Sequence, residues 1–291
     1  MNGILLIDKP SGWTSMDVCA KLRGALKEKR IGHSGTLDPM ATGLLVVFLG
    51  RATRAVEFAE ADRKTYVASL RLGITTDTQD TSGAVLSEHP AEVTDEELDA
   101  ALSRFRGEIT QIPPMYSAIK VNGQKLYDIA RKGREVERQP RPGSIYSRER
   151  SGRGENGDTV LIVGCSKGTY IRTLCHDIGA FLGCGGAMSA LRRTAAGAFS
   201  LAQAHTLDEV LAAAADGTAE QYLLPVDTLF AAYEALTLTP AQEKALRNGV
   251  RYTCPLEEKT YRLYGKSGEF LALGAVTEGK MRSLKNFFEV S

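Results

Sequence analysis

Few residues in this chain have the types and spacing to do chemistry. His33 and Asp38 share the stretch GHSGTLDPMATG, Gly32 to Gly43; Tyr66 lies in KTYVASLRLG; Arg172 and His176 sit one helical turn apart in TYIRTLCHDIGAFLG. The first stretch is a loop, because glycines and threonines at this density do not hold a regular helix. Asp38 precedes Pro39, which biases its backbone to the extended region, and stands just ahead of the apolar run LLVVFL, Leu44 to Leu49, which reads as a buried strand. A carboxylate at the rim of a core either accepts backbone hydrogen bonds in a turn or serves as nucleophile or base. Spacing alone favours the turn role, and by the same standard His33 is a loop histidine and Tyr66 a core aromatic. Arg172 is harder to place, because a guanidinium on a helix otherwise devoted to the core needs an anionic partner. CSKGTY just before it puts glycine and hydroxyl at a strand-to-helix turn, where backbone N–H groups can face an anion.

The elements that must position these groups are legible. TSMDVCAKLRGALKEK opens with hydroxyl caps at Thr14 or Ser15 and carries Val18, Leu22 and Leu26 at helical spacing. KTYVASLRLG alternates as a half-buried strand, with Tyr66, Ala68, Leu70 and Leu72 on one face. TDEELDAALSRF begins with a capping box, Thr94 to Glu97, and TLDEVLAAAADG with another from Thr206. DTVLIVGC reads as a buried strand. The helix after it turns Ile171, Leu174, Cys175, Ile178 and Phe181 inward, leaves Arg172 and His176 on a more polar face, and stops at Gly183. Between them QIPPMYSAIKVNGQKLYDIARKGREVERQPRPG is proline-punctuated, basic and aromatic, with a short helix at Leu126 to Ala130 ended by Gly133. Ser151 to Gly157 reads as a hairpin tip. Beyond residue 233 the texture changes to a short helix, LTPAQEKALRNG, and alternating segments separated by GKSG and TEGK turns, as in a small sheet or barrel.

Composition bounds the rest. With 43% apolar and 24% charged residues in 291, the chain is an ordinary globular protein. Its apolar runs are far shorter than the roughly 20 residues a membrane span needs, and no signal layout precedes them, so we expect a cytoplasmic protein. Five cysteines without a C-x-x-C pair and four histidines without metal-ligand spacing predict buried thiols and no metal. The net charge of +1 hides a segregation. Leu72 to Ser103 holds eight acidic residues and no Lys or Arg, whereas Arg104 to Arg153 holds twelve Lys or Arg against five acids. Such asymmetry permits a basic face that attracts polyanions.

GHSGTLDPMATG, preceded by LLIDKPSGWTS and followed by KTYVASLRLGITTDTQDTSG and CSKGTYIRTLCHDIG, resembles the bacterial tRNA pseudouridine-55 synthases of the TruB family. The likeness runs on through QIPPMYSAIKVNGQKLYDIARKG and LRRTAAGAFSL into the C-terminal segment. Ser34 stands where many relatives carry threonine. The resemblance implies an α/β (α+β) pseudouridine synthase fold, a mixed, mostly antiparallel sheet flanked by helices, over residues 1–233. A thumb-like insertion would lie at about 113–141 and a PUA-like RNA-binding β domain at 234–291.

It implies isomerisation of uridine 55 in the tRNA T loop, with no metal and no cofactor, by a monomer without an obligatory protein partner. Asp38 would be the catalytic aspartate, acting at the ribose as nucleophile or as base. Arg172 would pair with it, Tyr66 would stack on the base, and Tyr170 and Leu191 would complete the pocket wall. The target must be flipped out of its stack, at about a few kcal/mol, and His33 would fill the gap. Asp80 would contact the substrate, and Lys9 and Pro10 would brace the loop. The basic insertion would clamp phosphates.

Three other readings compete: a guide-RNA-dependent pseudouridine synthase, a tRNA-folding or RNA-binding protein with incidental catalysis, and a glycosidase. The start of the first motif at Leu5 and the lack of a basic tail after Ser291 favour the stand-alone enzyme, and a glycosidase would want a second catalytic carboxylate.

Overall fold

Thr14 starts the first helix: its hydroxyl accepts from Asp17 N while the Asp17 carboxylate accepts from Thr14 N. The computed structural model, which describes residues 1–60, 63–154 and 156–289, places β1 (Gly3–Lys9) before this helix, α1 (Ser15–Leu26). Next come β2 (Ile31–Ser34), β3 (Thr42–Leu49), α2 (Val56–Glu60) and β4 (Lys64–Leu72). A hairpin of β5 (Ile74–Thr76) and β6 (Val85–Glu88) leads to α3 (Asp95–Arg104), capped by Thr94 and Glu97, and to β7 (Gly107–Gln111). The proline-punctuated segment holds β8 (Lys120–Val121), β9 (Gln124–Lys125) and α4 (Leu126–Ala130) over a small core of Met115, Leu126 and Ile129.

Strands β10 (Arg141–Arg153) and β11 (Thr159–Cys165) pair as a hairpin; of the tip expected at Ser151 to Gly157, Glu155 lies outside the described residues. Then follow α5 (Ile171–Phe181), β12 (Gly186–Ala196), β13 (Phe199–Ser200), β14 (His205–Thr206) and α6 (Leu207–Ala215). The last quarter contains β15 (Glu234–Thr237), α7 (Pro240–Arg247), β16 (Tyr252–Thr253), β17 (Thr260–Tyr264), β18 (Phe270–Thr277) and β19 (Lys280–Asn286).

The first sheet runs β14-β1-β3-β12-β4-β11-β10-β7, with β2 added to β3 and β13 to β12; only the β1–β14 and β3–β12 pairs are parallel. The second sheet, β15-β17-β18-β19-β16, joins the C-terminal strands. Strand β3 shows why its sequence is a continuous apolar run. Leu45, Val47 and Leu49 pack under α1 and α6, while Leu44, Val46 and Phe48 pack on the opposite face with Phe230 and with Leu273 and Phe287 of the C-terminal segment. Each such side chain contributes about 1.5–3 kcal/mol by leaving water. The face of β4, β11 and β12 that carries Tyr66, Val163 and Leu191 is covered by α5.

One helix residue departs from the expected pattern. Phe181 is 53% exposed rather than inward, because α5 ends there beyond the core; its ring meets Phe105 edge-on at 6.3 Å, with Arg104 above it. All five cysteines are buried thiols. Among the described residues no helix is long and apolar enough to cross a membrane.

Candidate active site

The loop between β2 and β3 carries Asp38, and segment 9–15 holds it in place. The Ser15 hydroxyl donates to Leu37 O and accepts from Leu37 N, Gly12 N donates to Pro39 O, and Ala41 N closes the turn on Asp38 O. Lys9 is completely buried. Its ammonium donates to the carbonyls of Pro10, Trp13 and Pro39 at 2.8, 2.6 and 3.3 Å, so the amine ties three points of backbone together. Burial lowers its pKa to about 8 against the pull of Asp38.

Arg172, in the first turn of α5, reaches Asp38 with two nitrogens: Nε at 3.0 Å from Oδ2 and Nη2 at 3.3 Å from Oδ1. The same guanidinium donates to Tyr116 O at 2.8 Å and Thr78 O at 3.1 Å. It is therefore fixed from the proline-punctuated segment and from the turn after β5 as well as by the carboxylate. Such a fork holds a carboxylate in one orientation, which a lysine cannot do. The Asp38 side chain keeps a third of its surface open while Arg172 is almost wholly covered, so the carboxylate has one face toward solvent. Burial pushes the Asp38 carboxyl above the usual carboxylate range, with Asp80 adding to the rise and Arg172 and Lys9 opposing it.

The open face of Asp38 borders a cleft of about 700 Å³ between β4, β12, the start of α5 and the proline-punctuated segment. Tyr66, Tyr170 and Leu191 line it together with Asp38 and Arg172. Burial raises both phenols, so each hydroxyl is neutral near pH 7. Gln111 clamps Tyr170 by its backbone, accepting from Tyr170 N at 2.9 Å and donating to Tyr170 O at 3.0 Å.

Two expected substrate contacts lie elsewhere. Asp80 does not reach the cleft: it is 4% exposed and sits behind Arg172, its carboxylate 3.8 Å from Nη1. Its Oδ1 accepts from the hydroxyls of Thr78 and Ser82 and from Ser82 N, which closes the turn, while Oδ2 is the oxygen turned toward Arg172. His33 is on β2, opposite Val47, and is not part of the cleft wall. Burial, with Arg193 adding to it, lowers its pKa, so the ring is uncharged near neutrality. Pro10 contributes its carbonyl to Lys9.

Sequence reasoning missed Arg193, Lys64 and Gln111. Arg193 and Lys64 both line the cleft, and the signal that could have found Arg193 is its place two residues after Leu191, which on a strand puts both on one face. The basic segment is also less available than its charge suggests. Arg150 pairs with Asp95 at 2.8 Å and Asp99 at 3.0 Å, and Arg153 with Asp95 at 3.2 Å, because β10 packs beside the acidic helix α3. A second cleft of about 640 Å³ on the C-terminal sheet, lined by Arg54, Arg251, Arg282 and Lys285, holds none of the candidate residues. Among the described residues no cluster of His, Cys, Asp and Glu could hold a metal.

The sequence matches the profile of the TruB family pseudouridylate synthase N-terminal domain over residues 23–171 and that of the tRNA pseudouridylate synthase B C-terminal domain over residues 172–231. It is 46% identical over 284 residues to a tRNA pseudouridine synthase B of Azoarcus sp. strain BH72, covering 97% of this chain and 93% of that one. It is 39% identical over 301 residues to the protein of the same name in Clostridium kluyveri, covering 99% and 100%. Among solved structures it is similar to a chain of a Cbf5–Nop10–Gar1 complex, with a TM-score of 0.74, 26% identity and coverage of 99% and 85%. A chain of an H/ACA RNP bound to a substrate RNA containing 2′-deoxyuridine shares the fold, with a TM-score of 0.74, 24% identity and coverage of 99% and 86%.

Proposed function

Because this chain belongs to the TruB family of pseudouridylate synthases, we propose that the cleft between Asp38 and Tyr66 isomerises the uridine at position 55 of the tRNA T arm. The chain is a tRNA pseudouridine synthase, an isomerase. The reading of this cleft rests on the two-point hold of Arg172 on Asp38, beside two aromatic rings, in a space large enough for one nucleotide.

In the reaction the C1′–N1 bond breaks, the base turns while held, and C5 bonds C1′ as the C5 proton leaves. Asp38 works at the ribose. Arg172 keeps its carboxylate aimed and favours the ionised form against the burial that raises its pKa. Tyr66 stacks on the flipped base, Tyr170 and Leu191 close its sides, and Asp80 acts through Arg172. The uncharged ring of His33 takes the place of the base in the T loop. Lys9 and Pro10 brace the loop that carries Asp38.

Residues 1–233 form the catalytic domain, with a thumb from about 113 to 141 that closes over the T arm. The C-terminal sheet from residue 234, with its basic cleft, is a PUA-like RNA-binding domain. The enzyme works as a cytoplasmic monomer, with no cofactor and no obligatory protein partner.

Tritium at C5 of uridine tests this, since forming the new bond expels the C5 hydrogen. The purified protein alone should release tritium to water from an unmodified tRNA transcript. No release would overturn the proposal, release only with an added guide RNA would make the enzyme guide-dependent, and free uracil would make it a glycosidase.

A further inference from the structure

Breaking the C1′–N1 bond leaves its electron pair on the base, and the negative charge spreads over N1, O2 and O4 until C5 bonds C1′. Fixed donors aimed at such developing charge are the largest single source of catalysis in many enzymes. The wall of the cleft beside Tyr66 contains one that the reaction has not yet used.

Arg193 lies two residues after Leu191 on β12, and its Cα pairs with Gly43 of β3 and with Tyr66 of β4. Residues directly opposite across an antiparallel pair share a face, so the guanidinium stands beside the Tyr66 ring. It is wholly buried. Nε donates to Leu44 O at 2.7 Å and Nη2 to Gly35 O at 3.0 Å; the guanidinium also interacts with the neighbouring Tyr66 hydroxyl, and the buried Nη1 has no partner at good hydrogen-bond geometry among the described residues. No carboxylate of the described residues lies within ion-pair distance of it.

Gly35, at φ +72°, approaches so closely that a Cβ there would stand 3.3 Å from Nη1 and 3.1 Å from Lys64 Cε. Gly35, Lys64, Tyr66, Leu191 and Arg193 all line the cleft. A buried guanidinium without a counter-charge and with an unmade hydrogen bond is costly. The two carbonyls fix its plane and leave the Nη1 N–H without a carbonyl or carboxylate acceptor among the described residues. Its field also lowers the pKa of Lys9 and His33, as an uncompensated positive charge must.

We propose that Arg193 is a catalytic residue for the pseudouridine synthase reaction proposed above: its Nη1 donates to a carbonyl of the flipped uracil, and its charge stabilises the uracil anion. No proton is transferred to the base. The pair released from C1′–N1 is held as the anion, C5 returns it to C1′, and the C5 proton departs.

The test compares Arg193→Met and Arg193→Lys with the wild type on T-arm RNA carrying uridine or 5-fluorouridine at the target, in single turnover. Chromatography of the digested RNA reads consumption of either base. Fluorine at C5 stabilises the departing anion, so a residue that stabilises the same charge matters less for that substrate. Arg193→Met, which leaves the Leu44 and Gly35 carbonyls without their donors and so melts lower, should still bind RNA when folded, lose about 10²-fold in rate on uridine, and lose distinctly less on 5-fluorouridine. Arg193→Lys should recover part of the uridine rate. An unchanged rate, or an equal loss on both bases, would reduce Arg193 to packing and overturn the proposal. If Arg193→Met fails to fold, the ratio of the two losses in Arg193→Lys decides by the same criterion. A wild type inactive on uridine would instead refute the underlying functional reading.

Discussion

Arg172 lies between two carboxylates, gripping Asp38 at 3.0 and 3.3 Å with two nitrogens while its third stands 3.8 Å from Asp80. The first carboxylate faces the cleft and the second faces the interior, so the guanidinium transmits the position of a buried turn to the reacting group.

Asp38→Asn should cut tritium release by at least ~10³-fold while leaving tRNA affinity intact, because the amide neither attacks nor accepts a ribose proton. Arg172→Lys keeps a charge but loses the fork, and the resulting misplacement should lower kcat by on the order of 10²-fold with little change in KM. Single-turnover rates and filter binding on the same protein preparations check both.

The raised pKa of Asp38 has two consequences of opposite sense. The ionised form is the working one, so the acid limb of kcat/KM should lie above the ordinary carboxylate range. It should move higher still in Arg172→Met, which removes the charge that holds the pKa down. For stability, a folded-state pKa above the unfolded value means that the folded state binds more protons in the window between the two. Stability contributed by protonated Asp38 is thus present at low pH and lost as pH rises through its folded value. Asp38→Asn should remove this loss and melt higher than the wild type at neutral pH. Melting temperatures across the acid range read it directly.

Gly43→Ala should destabilise the fold. Its φ of +95° alone costs a residue with a Cβ about 1–3 kcal/mol, and that Cβ would press on the Arg193 backbone, which the β3–β12 pairing cannot move. Urea unfolding should show the loss, and activity should fall with it because Arg193 shifts.

Binding of tRNA should weaken as salt rises from about 50 to 200 mM, and a flat response would remove the phosphate-clamp role of the basic segment. Lys132 and Arg134 are exposed, so replacing either by alanine should reduce the salt slope by about one. Arg150→Ala and Arg153→Ala should change it little, since Asp95 and Asp99 already neutralise those side chains.

What could be read from the sequence is local. The capping boxes at Thr94 and Thr206, the continuous burial of Leu44 to Leu49, the alternation of Tyr66 to Leu70, the short helix at Leu126 and the buried cysteines all depend on residues within a turn or a strand of one another. The activity was legible only because several long motifs recur in order; taken alone, Asp38 read better as a turn residue than as a catalyst.

The tertiary structure decided everything that depends on sheet order. Asp38 and Arg172 are 134 residues apart and meet because β12 inserts between β3 and β4, and α5 packs over the joint. The same order sets Arg193 beside Tyr66, hides Asp80 behind Arg172, and brings α3 against β10 so that part of the basic segment is neutralised from within. Helix caps and strand alternation are settled by free energies within a few residues. Which charges face each other is settled by the packing of distant strands, and no local pattern encodes that.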